Sequence, residues 1–201
     1  MKKTVIIIAV GILSFASIGL WSSGMEPWEE SEEERHSERQ ESGEHERSGW
    51  LTPREDVAPA QNATYRSECG GCHFAYQPGL LPASAWERVM GSLGEHYGDD
   101  ASLDEQQAIE LLRYLTANAA NRAGLSRSRA FASGPAAGNA LPRITNTPYF
   151  RREHDEIPPR LVRNNEEVGS FSNCQACHRN AETGIYNEHQ VVIPGVGRWD
   201  D

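Results

Sequence analysis

Two short segments of this chain concentrate its reactive side chains. One is Cys69-Gly70-Gly71-Cys72-His73 and the other is Cys174-Gln175-Ala176-Cys177-His178, and together they use all four cysteines of the 201 residues. Cys-x-x-Cys-His is the attachment signature of a c-type haem. The spacing has a mechanical reason: two thiols add to the two vinyl groups on one edge of a porphyrin, and the adjacent histidine is carried under the ring, where its imidazole binds iron. Rival readings fit less well. A redox Cys-x-x-Cys pair needs no following histidine, and with seven histidines in the chain one behind each motif is rarely a coincidence. A four-cysteine zinc site needs the two halves brought together and leaves both histidines idle. A disulfide across two intervening residues would suit an exported protein but staples little. The reading is two covalently bound c-type haems, held by Cys69, Cys72 and His73 and by Cys174, Cys177 and His178.

Each iron then needs a sixth ligand, for which His and Met are usual. Outside the motifs and an acidic stretch holding His36 and His45, the spare histidines are His96, His154 and His189. The one methionine of the same region, Met90, falls on the apolar face of an expected helix and reads as core. His96 and His154 are the preferred ligands, and His189, near the C-terminus, is the weaker candidate. His96 follows His73 by 23 positions and His178 follows His154 by 24, so local pairs keep the loop-closure cost small. That gives His73 with His96 and His154 with His178. Without methionine ligation both irons should be low-spin and of low potential.

Several elements must position these groups. Ser84 and Glu87 form a capping-box pattern before Trp86, Val89, Met90 and Leu93, which predicts a helix up to Gly94. Ser102 and Glu105 repeat the pattern before Ala108, Ile109, Leu111, Leu112 and Leu115, which predicts a helix to about Ala120. Residues 126–140 are small and turn-rich and read as a connection. Beyond them Pro142, Pro148, Pro158, Pro159 and Pro194 break the chain into short pieces, and no strand ladder is visible. The fold class is mainly α: a helical first haem region over 53–125, a connection over 126–140 and a loop-rich second haem region over 141–201.

The N-terminal part is of a different kind. Lys2 and Lys3 precede an apolar run from Val5 to Trp21, so residues 1–24 read as a cleaved signal peptide or a retained membrane anchor, and the rest as exported to the periplasm. Residues 25–52 contain a run, Glu26 to Arg47, with ten Glu and three Arg, too polar to offset its chain entropy by burial and read as a disordered linker. With the anchor retained, it would hold the folded part on the order of 25–30 Å from the membrane. The net charge of -10 argues against a nucleic-acid partner. Apolar residues make up 38% of the chain and are over-represented in that N-terminal run. The remainder is a thin supply for a core, and two porphyrins would add the missing apolar volume.

The ordered set of further motifs resembles a known family, the small bacterial dihaem cytochromes c that serve the oxygen-binding sphaeroides haem protein. The resemblance runs from about Tyr65 to Pro194. It rests on Glu68-Cys69 with Cys72-His73, the run from Tyr76 to Pro82, Trp86, His96-Tyr97-Gly98, and Ala101-Ser102-Leu103. Ile144 to Phe150, Arg152-Glu153-His154, the second haem motif and Val192-Ile193-Pro194 complete it. It implies two bis-histidine haems with His96 and His154 as distal ligands, and an electron carrier in place of an enzyme. It also implies two redox partners, a small monohaem cytochrome and a membrane b-type cytochrome. The alternative is a small dihaem oxidoreductase, peroxidase-like or acting on sulfur compounds, with one open iron. The acidic linker and long apolar start lie outside the family pattern.

Overall fold

Helix starts in this chain are set by side chains that catch the free N–H groups of a first turn. The computed structural model describes residues 55–135, 138 and 140–199. The N-terminal signal or anchor, the acidic linker, His36 and His45 lie outside them. Helix α1 (Ala63–Gly70) starts at Asn62, whose side chain accepts from the Tyr65 N–H at 2.8 Å. Helix α2 spans Ala83–Met90 and α3 spans Glu105–Ala117. A short helix α4 (Ser126–Ala130) follows. Then come α5 (Pro148–Glu153), α6 (Arg160–Arg163) and α7 (Cys174–Cys177). In α5 the Thr147 hydroxyl caps Phe150 N–H, and Pro148 takes the first helical position, where it needs no donor.

Neither capping box forms as the sequence predicts. The α2 helix begins at Ala83, one residue before Ser84, with Pro82 at the cap and no side-chain cap bond. Its first N–H is caught instead by the Asn121 side chain at 2.9 Å, from 38 positions away. The cap of α3 is Asp104, which accepts from Gln107 N–H at 3.0 Å, while Ser102 N–H turns back to the Asp100 carboxylate. The α2 helix also stops at Met90, short of Gly94, and a separate 3-10 turn covers Leu93–Glu95.

Helices α2 and α3 pack together around Trp86, Val89, Leu111 and Leu115, with Tyr65 and Leu81. Met90 is half-buried against this cluster, in keeping with a core role. Ile109, expected on the same face, is 43% exposed. A second cluster joins Val57, Leu80, Phe131 and Phe150 to Ala181 and Tyr186. It draws on both haem regions and on the stretch read as a connection: α4 buries Ser128 and leads into buried Phe131. The backbone N–H groups of Asp56 and Val57 both donate to Gly184 O, at 2.9 and 3.0 Å. Gly184 has φ +75°, and a Cβ there would lie 1.8 Å from the Val57 carbonyl oxygen, so only glycine fits.

The C-terminal part is loop-rich, as expected, with one addition. Strands β1 (Val192–Ile193) and β2 (Gly197–Arg198) form an antiparallel hairpin in which Val192 pairs with Arg198 and Ile193 with Gly197. Two-residue strands are too short to leave an alternation in the sequence. β1 lies against α7, which carries the second cysteine pair. The molecule is mainly α, and among the described residues no helix is long and apolar enough to cross a membrane.

Candidate functional site

The first motif is delivered by the end of α1, with Cys69 in its last turn and Cys72 and His73 exposed beyond it. The His73 Nδ1–H donates to the Phe74 carbonyl at 2.8 Å. A ring nitrogen engaged in this way leaves the other with its lone pair free for a metal. Facing it is His96, at the end of the Leu93–Glu95 turn. Its backbone exchanges hydrogen bonds with Asp99, N–H to O at 2.8 Å and the reverse at 3.2 Å. That tight reversal puts Tyr97 at φ +57° and Gly98 at φ +110°. Tyr97 is held in this sparse conformation by donating to the Pro142 carbonyl and by the Arg143 guanidinium 4.2 Å above its ring. The His73 and His96 rings are stacked, with centroids 6.2 Å apart and planes 16° from parallel.

The second motif lies on α7, with Cys174 and Cys177 at its two ends and His178 as its C-cap. Its partner, His154, caps the C-terminus of α5, and its Nδ1–H donates to the Phe150 carbonyl at 2.9 Å. This satisfies one of the carbonyls that a helix end leaves free and again fixes the tautomer. Phe150 also stacks on the His154 ring at 3.9 Å. The His154 and His178 centroids are 6.1 Å apart, with planes at 68°. Between them lies a cavity of about 590 Å³, walled by Leu80, Phe131, Val168, Phe171 and Ile193, with Arg127 and Arg152 supplying positive charge. That volume is of the size of a cofactor pocket.

The chemistry of these groups fits haem. Two imidazoles on opposite sides of one ion, each nitrogen about 2 Å from it, have ring centroids on the order of 6 Å apart, close to both observed separations. Burial, with His154 and Arg127 nearby, pushes His178 down to about 4, so its imidazole is neutral and can donate a lone pair. Burial first, and then His73, lowers His96 as well. Burial raises the Cys174 thiol to about 12 and the Cys69 thiol to about 11. An environment that disfavours thiolate suits a neutral thioether better than a zinc thiolate. All four cysteines are unpaired, and among the described residues no three His, Cys, Asp or Glu side chains gather as a metal cluster. The Arg127 Nε is buried without a hydrogen-bond partner, 3.6 Å from the Asp56 carboxylate, at the wall of the second cavity.

His189 also reaches the rim of this cavity, but its side chain is 76% exposed, and its Nε2 lies 3.9 Å from the Glu188 carboxylate. The structure therefore brings together the four histidines expected as ligands, in the two local pairs expected, and leaves His189 outside. Sequence reasoning missed the residues that hold these rings. Phe150 was legible in principle, lying four positions before His154 on one helix. Tyr186, 5.3 Å from the His178 ring, lies outside every motif named above and carried no signal.

The chain is similar to known proteins of one family. The dihaem cytochrome c family matches residues 65–186. A solved structure of a diheme cytochrome type c from Shewanella baltica OS155 shares 44% identity, with a TM-score of 0.58 over 70% of this chain and 99% of that one. A diheme cytochrome c from Rhodobacter sphaeroides shares 40% identity, with a TM-score of 0.55 over 65% of this chain and 100% of that one. No curated protein matches. A family match over residues 65–186 and solved structures at 40–44% identity place this chain in the dihaem cytochrome c family of haem-based electron-transfer proteins, with two covalently attached c-type haems.

Proposed function

We propose that the chain is a periplasmic electron carrier whose two irons are each closed by a pair of histidines, His73 with His96 and His154 with His178. When bound, each haem supplies a reversible one-electron change between ferrous and ferric iron. Cys69 and Cys72, and Cys174 and Cys177, would hold the two porphyrins as thioethers. The Phe74 and Phe150 carbonyls keep the Nδ1 protons of His73 and His154 in place, which would leave Nε2 free to hold the iron. Phe131, Phe150, Phe171 and Ile193 line the second seat with apolar surface. Arg127 and Arg152 would meet the carboxylates on the porphyrin edge. Held by two histidines each, the irons would offer no position to a substrate, and the chemistry they would supply is electron transfer alone.

The observation that carries this reading is the pair of ring separations, 6.2 and 6.1 Å, each joining a motif histidine to a spare one. Export is supported by Lys2-Lys3 and the apolar run to Trp21, and by the attachment of c-type haem outside the bacterial cytoplasm. The electron donors and acceptors that the family resemblance implies are a membrane b-type cytochrome and a small monohaem cytochrome. Half-burial of Met90 in the helical core favours histidine over methionine at both irons, and so low potentials. The test is substitution in the haem-loaded protein. His96→Ala and His154→Ala should each turn one haem, and only one, high-spin, while His189→Ala leaves both low-spin. If either of the first two variants stays fully low-spin, or if His189→Ala creates a high-spin iron, the ligand assignment fails.

A further inference from the structure

The two histidine pairs differ in one respect. Their centroid separations are nearly equal, but the rings of the first pair are 16° from parallel and those of the second stand at 68°. This matters to a ferric low-spin iron because each imidazole donates π density into the d orbital perpendicular to its own plane. Parallel rings raise one of the two candidate orbitals and split them. Crossed rings raise both and leave them nearly equal in energy.

What holds the second pair crossed can be read from the packing. His154 is fixed in plane by its bond to the Phe150 carbonyl and by stacking on the Phe150 ring, at 9° from parallel. Phe171 closes its side edge-on at 89°. The His178 ring rests against Tyr186, 5.3 Å away at 63°. Tyr186 in turn is clamped. Its hydroxyl donates to Gln77 Oε1 at 2.6 Å, and its backbone N–H donates to the Asp56 carboxylate at 2.8 Å. Gln77 is fully buried, and its amide N–H donates to the Ala181 carbonyl, three residues beyond His178. A buried amide with both ends engaged is a rigid support, because either bond broken would strand a polar group. Gln77 comes from the first haem region, 109 positions before Tyr186.

We propose that Tyr186, clamped by Gln77, is a positioning residue that holds the His178 imidazole crosswise to that of His154, so that the second haem differs electronically from the first. This rests on the histidine pairing proposed above. It gives the carrier two distinguishable electron sites although both have the same ligands.

The experiment is electron paramagnetic resonance on the oxidised, haem-loaded full chain. Two low-spin ferric signals are expected. One is an ordinary rhombic signal from the near-parallel pair, and the other is strongly axial, with its low-field feature displaced to still lower field. Tyr186→Leu, which removes the ring support, should shift the axial feature toward the rhombic position and leave the first signal unmoved. Gln77→Leu and Tyr186→Phe keep the ring but free it, and should broaden and partly shift the same feature. Haem content, measured on every variant, identifies any that fails to load, and the two milder variants carry the test if Tyr186→Leu does so. Two rhombic low-spin signals in the wild-type protein would overturn this inference while leaving the ligand pairs intact. An axial signal unmoved by all loaded variants would also overturn it. A high-spin signal in the wild-type protein would overturn the pairing itself, and the inference with it.

Discussion

A histidine serves as an iron ligand when its far nitrogen is occupied and its near one is free, and two of the four histidines here meet that condition through a backbone carbonyl one or four residues earlier or later in the chain. The two motifs were legible in the sequence, and so was the choice of His96 and His154 as the spare histidines that come to lie beside His73 and His178. Spacing exposes a covalent attachment site, and a short supply of spare histidines narrows the choice of sixth ligands. The supports were not legible, because Gln77, Ala181 and Tyr186 meet only in the folded chain. Gly184 is a residue of that hidden kind. A methyl there would press on the Val57 carbonyl in a backbone conformation that side chains avoid. Gly184→Ala should therefore cost roughly 3 kcal/mol or more. It should lower the thermal midpoint and reduce the yield of protein carrying the second haem; a midpoint within a degree of wild type would contradict the described packing.

At the scale of elements, the helices were visible and their beginnings were not. Trp86, Val89, Leu111 and Leu115 mark the two faces that pack, but the capping boxes at Ser84 and Ser102 lose to other partners. Asp104 carries a full carboxylate one residue before the α3 helix, a better acceptor for first-turn N–H groups and a better match to the helix dipole than a serine hydroxyl. Asn121 reaches the α2 start through space, which no local pattern reveals. Ile109 shows the same limit: it has the right period, yet it stays 43% exposed. Chemical denaturation of single variants separates these accounts. Asp104→Ala should destabilise by about 1 kcal/mol, as loss of a helix cap does. Ser102→Ala should stay within about 0.5 kcal/mol of wild type. The reverse order would restore the capping box that the structure replaces.

At the scale of the whole molecule, two features of composition acquire meaning. The first is the thin apolar supply outside the N-terminal run. The second cluster draws on Val57, Phe131, Phe150 and Tyr186 from separate parts of the chain and leaves a cavity of about 590 Å³ beside them, the space that a porphyrin would occupy. The second is the N-terminal pattern, which speaks to placement in the cell. N-terminal sequencing of the native protein decides its form. A start near Met25 is expected of a released periplasmic carrier, and an intact start in the membrane fraction of a tethered one. Recovery from the cytoplasm with its start intact would contradict export in either form.

If both irons are closed by protein histidines, as proposed, the molecule is a carrier with no open catalytic iron. Carbon monoxide binds ferrous haem where the sixth position is empty or weakly held. Absorption spectra of the reduced, haem-loaded full chain, taken before and after adding carbon monoxide, test the claim directly. Superimposable spectra are expected for both haems. A carbon monoxide complex forming promptly at one haem would contradict it and return the small dihaem oxidoreductase to first place.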